Sequence, residues 1–252
     1  MKEIHVIPAE NRLLDNYFNT AVKEKLYSSN RHLKFKTSKL FEDVELKDKT
    51  ILDIGGGDGL FSIYAACSGA EYVVCLEPEG EGSYGKMNDN FERFKKSLQL
   101  TNILLLRKTF QDYDAGNLKF DVVLLHNSIN HLNEQACENL LKETEARKLY
   151  LSVIKKLFEI TNNGAQIIIS DCSNKNFFAK HNIKNIFAPT IEWNKHQQPE
   201  TWAEFFRESG FQKVSISWNS PKQLGHIGNL FLGNKYLSYF LGSHFRLLIT
   251  KP

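Results

Sequence analysis

The sequence predicts an α/β fold, a doubly wound and mostly parallel sheet of seven strands with helices on both faces. Three observations predict it. Short β-rich apolar runs alternate with helix-like stretches from about residue 50 to 218. The first run passes directly into a glycine-rich turn and then a helix-like segment. The 252 residues, 42% of them hydrophobic, suffice for one α/β domain with a substantial core.

The elements follow in order. Residues 10–45 read as one or two helices with Leu13, Leu14, Tyr17, Phe18, Val22 and Leu26 on one face, a helical cap spanning 1–45. Strand candidates are 50–54, 72–77, 103–106, 121–126, 165–171, 213–218 and 245–250. A helix is expected from near Gly59 through Phe61, Ile63, Tyr64, Ala65 and Ala66. Another carries Met87, Phe91, Phe94 and Leu98 at helical spacing, and a longer one carries Ala146, Leu149, Val153, Leu157 and Ile160. Gly164, after Asn162 and Asn163, is its expected stop. The aromatic stretch 219–243, with Leu230, Phe231, Leu232, Tyr236, Leu237, Tyr239, Phe240 and Leu241, is an insertion before the last strand. Packing onto the host domain is its expected role; a pocket cover, a dimer contact or a membrane-resting surface are the alternatives. With no repeat or linker, residues 1–252 read as a single domain, with core 46–218 and last strand 244–252.

Residues 51–59 carry the chemistry: Ile-Leu-Asp-Ile-Gly-Gly-Gly-Asp-Gly. A residue without Cβ lets the chain turn tightly and approach a bound nucleoside. A dinucleotide fingerprint, G-x-G-x-x-G, fails in both registers, because its third glycine falls on Leu60 or Ser62. The form Asp53-x-Gly55-x-Gly57-x-Gly59 is complete. Here the chain resembles the class I S-adenosylmethionine-dependent methyltransferases, whose first motif has this form. The resemblance implies the Rossmann-like methyltransferase fold, with its last two strands an antiparallel edge and the N-terminal helices over the cofactor. It also implies S-adenosylmethionine as cofactor, the glycine loop under its methionine portion, and Asp53 or nearby backbone at its amino group. A carboxylate suits that ammonium, and free N–H groups at a helix N-terminus suit its carboxylate.

Glu77 closes the run Tyr72–Leu76, where an acid accepts hydrogen bonds from ribose hydroxyls; Glu79 is the rival. After the run 103–106, the family often has an acid for the adenine amino group, but the aligned residue is Thr109. Phe110 could pack on adenine, with Gln111 or Asp112 supplying the hydrogen bond, or these are plain loop residues. With Asn127, the cofactor-binding set is Asp53, Gly55, Gly57, Gly59, Glu77, Thr109, Phe110 and Asn127.

Substrate-side groups in such a sheet gather beyond the C-terminal ends of the strands. The fourth strand ends in Leu124-Leu125-His126-Asn127-Ser128-Ile129-Asn130-His131-Leu132, similar to the Glu-x-x-Glu-His motif of small-molecule methyltransferases. Asn127 and Asn130 stand where the acids would be. Amides ligate hard cations poorly, so no metal is expected. A hydroxyl acceptor must lose a proton, and histidine is the natural base near neutral pH. His131, His126 and His196 are the catalytic candidates, with Asp171 as a group that could orient one of them. His181 reads as solvated. No Asn-Pro-Pro-Tyr follows the fourth strand, which disfavours methylation of exocyclic base amines.

The formal charge is +3, and the densest basic stretch (Arg31, Lys34, Lys36, Lys39) reads as a solvated helix face, so no nucleic-acid partner is expected. No apolar run is long enough to cross a bilayer, and residues 1–5 lack a signal-peptide core. Four scattered cysteines suggest reduced thiols and a cytoplasmic location. The expected function is methyl transfer from S-adenosylmethionine to a small-molecule acceptor, oxygen before nitrogen or carbon, by a monomer or homodimer. The alternatives are an inactive cofactor-binding regulatory module and a non-methylating enzyme using the same cofactor.

Overall fold

Between Thr50 and Leu106 the chain makes the sheet's first two parallel pairings, and the burial of its strands explains their composition. In the computed structural model, which describes residues 9–79, 85–185, 190–219 and 233–252, β1 (Thr50–Ile54) and β2 (Tyr72–Leu76) are buried except at their first residues. Strands covered on both faces read as continuous apolar runs, not as alternating ones. With β3 (Ile103–Leu106), β4 (Phe120–His126), β5 (Thr161–Cys172), β6 (Gln212–Trp218) and β7 (His244–Thr250), they form a seven-stranded sheet of order β3-β2-β1-β4-β5-β7-β6. β7 alone runs opposite to the other strands, pairing antiparallel with β5 and β6. This is the expected sheet, with the antiparallel pair at the edge.

The order places a topological switch between β1 and β4, where connections leave in opposite directions. The helices cover both faces. On one, α1 (Ala9–Lys23), α2 (Asn30–Leu40), α3 (Leu60–Cys67) and α4 (Met87–Ser97) bury Tyr17, Leu33, Ile63, Phe91 and Phe94. On the other, α6 (Thr144–Glu159) and α8 (Pro199–Glu208) bury Tyr150, Trp202, Phe205 and Phe206; the short α5 (Glu134–Glu138) lies before α6. Tyr17 donates its hydroxyl to Leu60 O at 2.8 Å and stacks on Phe94, fixing α1 to α3 and α4. Arg246, buried on β7, donates Nε to Leu40 O at 2.7 Å and Nη2 to Glu42 O, so a strand side chain satisfies the carbonyls at the end of α2.

Two expectations are corrected. Gly164 does not stop α6, which ends at Glu159 on the Ile160 cap. It lies inside β5 with φ +79, donating to Lys251 O, where the β4–β5 register jumps from Phe120↔Thr161 to Val122↔Gln166. The glycine makes room for a bulge, because its left-handed backbone is strained for other residues. The basic stretch on α2 is also not uniformly solvated: Arg31 and Lys34 are exposed, but Lys36 is half-buried and turned toward the cavity described below. Of the insertion, Leu230, Phe231 and Leu232 lie outside the described residues; α9 (Lys235–Tyr239) follows, with Tyr236, Leu237 and Phe240 exposed.

Candidate active site

A cavity of about 1080 Å³ opens at the switch point, beyond the C-terminal ends of β1, β2, β3 and β4. The glycine turn forms its floor. Gly55, Gly57 and Gly59 have φ of +72, +57 and +74. They do different work. A Cβ on Gly55 would lie 2.6 Å from Ser128 Cβ, so that glycine lets the turn press on the end of β4. At Gly59 a Cβ would fall 2.1 Å from the Phe91 ring, so Gly59 permits the close approach of α4 and does not line the cavity. At Gly57 a Cβ would meet only Met87 Sδ, at 3.8 Å: here the main chain is bare toward the cavity. Gly56, which the sequence pattern left as a spacer, is as tightly placed, with Cys75 Sγ 2.4 Å from its Cβ position.

Two carboxylates stand at this floor. Asp53 is buried, its Oδ2 accepts from Ser62 Oγ at 2.5 Å, and its Oδ1 is buried with no partner. Burial, reinforced by the charge of Glu77, pushes its carboxyl up to about 7, although the Ser62 hydrogen bond opposes the rise. An acid with one unsatisfied oxygen in a cavity wall fits an incoming ammonium. Glu77, also buried, accepts from Gly57 N–H at 2.8 Å and from Glu79 N–H at 3.0 Å, which fixes its carboxylate beside the bare turn while leaving lone pairs for ribose hydroxyls. Glu79 is occupied elsewhere: its Oε1 accepts from Asn88 N–H in the first turn of α4, and that bond holds its carboxyl below the usual range.

The remaining predicted cofactor residues reach the same cavity. Phe110 is buried under the Lys156 ammonium, 5.1 Å from its ring centroid, and also lines the cavity. Thr109 lines it as well, with Oγ1 bonded to Asp112 Oδ2 at 2.7 Å; Gln111 Nε2 donates to Leu132 O. Asn127, exposed in the wall, has φ +52, and its N–H donates to Ser170 O.

The three histidines separate. His126 and His131 line the cavity; His196 does not. His126 packs its ring perpendicular to Phe61, with centroids 4.7 Å apart, and its Nδ1 is buried without a partner. Burial, then the charges of Lys36 and His244, hold its pKa well below 6.5, so it is neutral at pH 7. His131 is nearly half exposed and meets Glu134 Oε1 through Nδ1 at 2.6 Å, while Lys195 Nζ reaches Glu134 Oε2 at 2.8 Å. Tyr150 hydroxyl lies within 3.2 Å of the carbonyls of Ile129, Asn130 and Asn133, holding this loop in place. His196 Nδ1 lies 3.0 Å from Asp171 Oδ1, one of the pairings open to that acid, but outside the cavity wall. His181 is exposed at the end of the short α7 (Phe177–Lys180). Among the described residues no cluster of three or more His, Cys, Asp or Glu is placed to hold a metal ion.

Sequence reading missed Ser62, Ser128, Lys36 and His244. Ser62 is the one serine inside the largely apolar Leu60–Ala66 run, a signal that could have been used. Ser128 Oγ donates to Ile54 O at 2.5 Å, locking β4 to the turn. His244 pairs with Cys172 across β5 and β7, Nε2 to Sγ at 3.3 Å, a juxtaposition only the sheet register creates.

Residues 27–216 match the family model described as a methyltransferase domain. Among curated relatives, protein arginine N-methyltransferase 8-B of Danio rerio is 29% identical over 106 residues, 40% of this chain; the match spans 24% of that relative's length. Among solved structures, a SAM-dependent methyltransferase from Aquifex aeolicus shares the fold, with TM-score 0.57 and 14% identity over 92% of this chain and 96% of that one. A SAM-dependent methyltransferase from Thermotoga maritima does so with TM-score 0.52 and 13% identity, over 95% and 100%. With the glycine turn, the buried Asp53 and the anchored Glu77 around one cavity, and with the family model covering most of its length, the chain belongs to the class I S-adenosylmethionine-dependent methyltransferases.

Proposed function

We propose that the chain transfers the methyl group of S-adenosylmethionine to an oxygen of a small-molecule acceptor. The observation that carries the oxygen assignment is the His131–Glu134 pair, 2.6 Å apart, in the wall of the same cavity as the cofactor loop. The cofactor supplies a methyl carbon activated by an adjacent sulfonium. Asp53 faces its ammonium with the unsatisfied Oδ1, and Glu77, held by two backbone N–H groups, takes its ribose. Holding nucleophile and methyl carbon in line contributes up to roughly 7–11 kcal/mol. A hydroxyl acceptor must shed a proton, and His131, oriented by Glu134, accepts it. His126, kept neutral by burial, offers Nδ1 as a hydrogen-bond acceptor instead. Leu26 and Tyr27, between α1 and α2, close one side of the cavity, which fits a small acceptor better than a wide macromolecular one. The four cysteines are free and buried, which suits the reducing cytoplasm. The proposal takes residues 1–252 as a single methyltransferase domain acting as a monomer or homodimer.

Calorimetric titration with S-adenosylmethionine, S-adenosylhomocysteine and NAD tests the cofactor site: both sulfur ligands bind and NAD does not. Screening hydroxyl, amine and carbon acceptors with radiolabelled methyl donor tests the transfer. With a hydroxyl acceptor, His131→Ala lowers kcat about 10²- to 10⁴-fold, while His196→Ala leaves it near wild type. Retention of the wild-type rate across pH by His131→Ala would remove it as the base, and labelling of amines alone would move the acceptor atom to nitrogen. Binding without any transfer would favour a regulatory module.

A further inference from the structure

Of the seven large hydrophobic side chains exposed among the described residues, four stand at one corner. Tyr236, Leu237 and Phe240, on and just after α9, are 83%, 39% and 54% exposed, and Ile183, in the turn that follows α7, is 50% exposed. The corner is built, not loose. The Phe177 ring packs 5.6 Å from Phe240 and 4.7 Å from His181, centroid to centroid, and Asn185 Nδ2 donates to Leu241 O at 2.9 Å, so α7 and α9 form one platform. Asn176 and Asn234 cap the two helices, accepting from Ala179 N–H and from Tyr236 and Leu237 N–H. A fixed platform that holds clustered apolar side chains in water marks a contact surface.

The charge around them is one-sided. No Asp or Glu occurs from Ser173 to Ile191 or from Ser209 to Pro252, although the chain has 29. Lys175, Lys180, Lys184 and Lys235 are exposed on the platform. Glu200, at the start of α8, pairs with Lys235, and the Lys175 charge reaches the same carboxylate. Lys180 and Lys184 form no ion pair among the described residues. The platform lies beyond the same end of the sheet as the cavity, because α7 follows the C-terminal end of β5 and α9 leads into β7 where His244 pairs with Cys172.

We infer that this corner docks the protein peripherally on an anionic lipid bilayer, with Tyr236, Leu237, Phe240 and Ile183 entering the interface and the lysines meeting the headgroups. Aromatic rings with a polar edge favour that depth, and lysine stems lie along apolar surface while their ammonium groups reach the phosphates. Apolar area and positive charge act together, since either alone gives weak binding. Leu237 and Ile183 offer bases no stacking face, which favours acyl chains over a nucleic-acid strand. The docking goes beyond methyl transfer and does not depend on it.

Co-sedimentation of the full chain with vesicles of phosphatidylcholine alone, or mixed with phosphatidylglycerol in equal parts, tests it. The mixed vesicles bind about tenfold or more tighter, and raised salt removes that margin. A lysine near an anionic surface is worth about fivefold in affinity, so Lys180→Gln with Lys184→Gln weakens binding about 25-fold. Tyr236→Ser with Phe240→Ser keeps every charge and still weakens binding about tenfold or more. Unchanged thermal melts show that the variants are folded, and Tyr236→Ser alone stands in if the aromatic pair is not. The inference is overturned if neither vesicle binds, if both bind equally, or if either double variant binds the mixed vesicles as wild type does. A single-stranded oligonucleotide held through the same lysines, with no vesicle binding, would assign the corner to nucleic acid instead. A dimer that Tyr236→Ser with Phe240→Ser dissociates, again with no vesicle binding, would assign it to a second copy of the chain.

Discussion

At Gly59 an added Cβ would overlap the Phe91 ring, and the left-handed backbone there would be strained besides, whereas at Gly57 only the second cost applies. Gly59→Ala therefore destabilises by about 3 kcal/mol and Gly57→Ala by about 1 kcal/mol, or about 2–4 °C of Tm for the latter. Thermal melts of the two variants check the order; equal losses would show that Phe91 moves aside without cost. Asp53 makes a different prediction at the same floor. Its folded pKa, about 7, lies above the usual carboxylate value of 3.8, so the folded protein favours the protonated acid. Stability is then present at low pH and lost as pH rises from about 4 to about 7, by an amount on the order of 4 kcal/mol. In the ligand-free protein, the Tm of Asp53→Asn should gain on wild type as pH rises from 5 to 8, while its affinity for S-adenosylmethionine falls. Parallel melting curves across that range would mean Asp53 is not ionising inside the fold. The cofactor's ammonium answers the same buried charge, so wild-type affinity should strengthen over the same interval.

The helix α2 shows what an element needs beyond its own sequence. Its last carbonyls are met by Arg246, 206 residues further along the chain from Leu40. Arg246→Met leaves those carbonyls without donors and removes a buried cation, costing about 2–3 kcal/mol. Urea denaturation should show a lower midpoint with unchanged slope. An unaltered midpoint would show that water replaces the guanidinium. The central strands β1, β2 and β4 were legible in the sequence because burial on both faces leaves continuous apolar runs, and the glycine turn was legible because its spacing reports backbone geometry directly. Asp53, Glu77 and the two cavity histidines sit next to those runs and so could be placed. Lys36 could not: on a helix rich in Lys and Arg, nothing local separates the inward-turned cation from the solvated ones. His244 and Cys172 meet only through the β5–β7 register, and Gly164 was misread because a glycine after a helix serves a stop and a bulge equally well. Long-range pairing, not local pattern, fixed each of these.

For the molecule as a whole, the N-terminal helices are part of the core and not a detachable lid. Tyr17, Phe18, Ala21, Leu33, Leu40 and Phe41 are buried against the same cluster as Ile63, Phe91 and Phe94 of the sheet-covering helices. Each large apolar side chain among them contributes roughly 1.5–3 kcal/mol by leaving water, so together they match or exceed the 5–15 kcal/mol net stability of an ordinary domain. Deleting residues 1–45 would also leave Arg246 buried without the carbonyls it serves and open the cavity along Leu26, Tyr27 and Lys36. The fragment 46–252 should therefore be recovered without a cooperative thermal transition and without affinity for S-adenosylhomocysteine, even though the glycine turn, Asp53 and Glu77 are all retained. A soluble fragment that melts cooperatively and still takes up the ligand would show that the face formed by α3 and α4 closes by itself. The cap would then be a separable element whose only duty is acceptor choice, and the cost of ordering it would be met by acceptor binding instead of by folding.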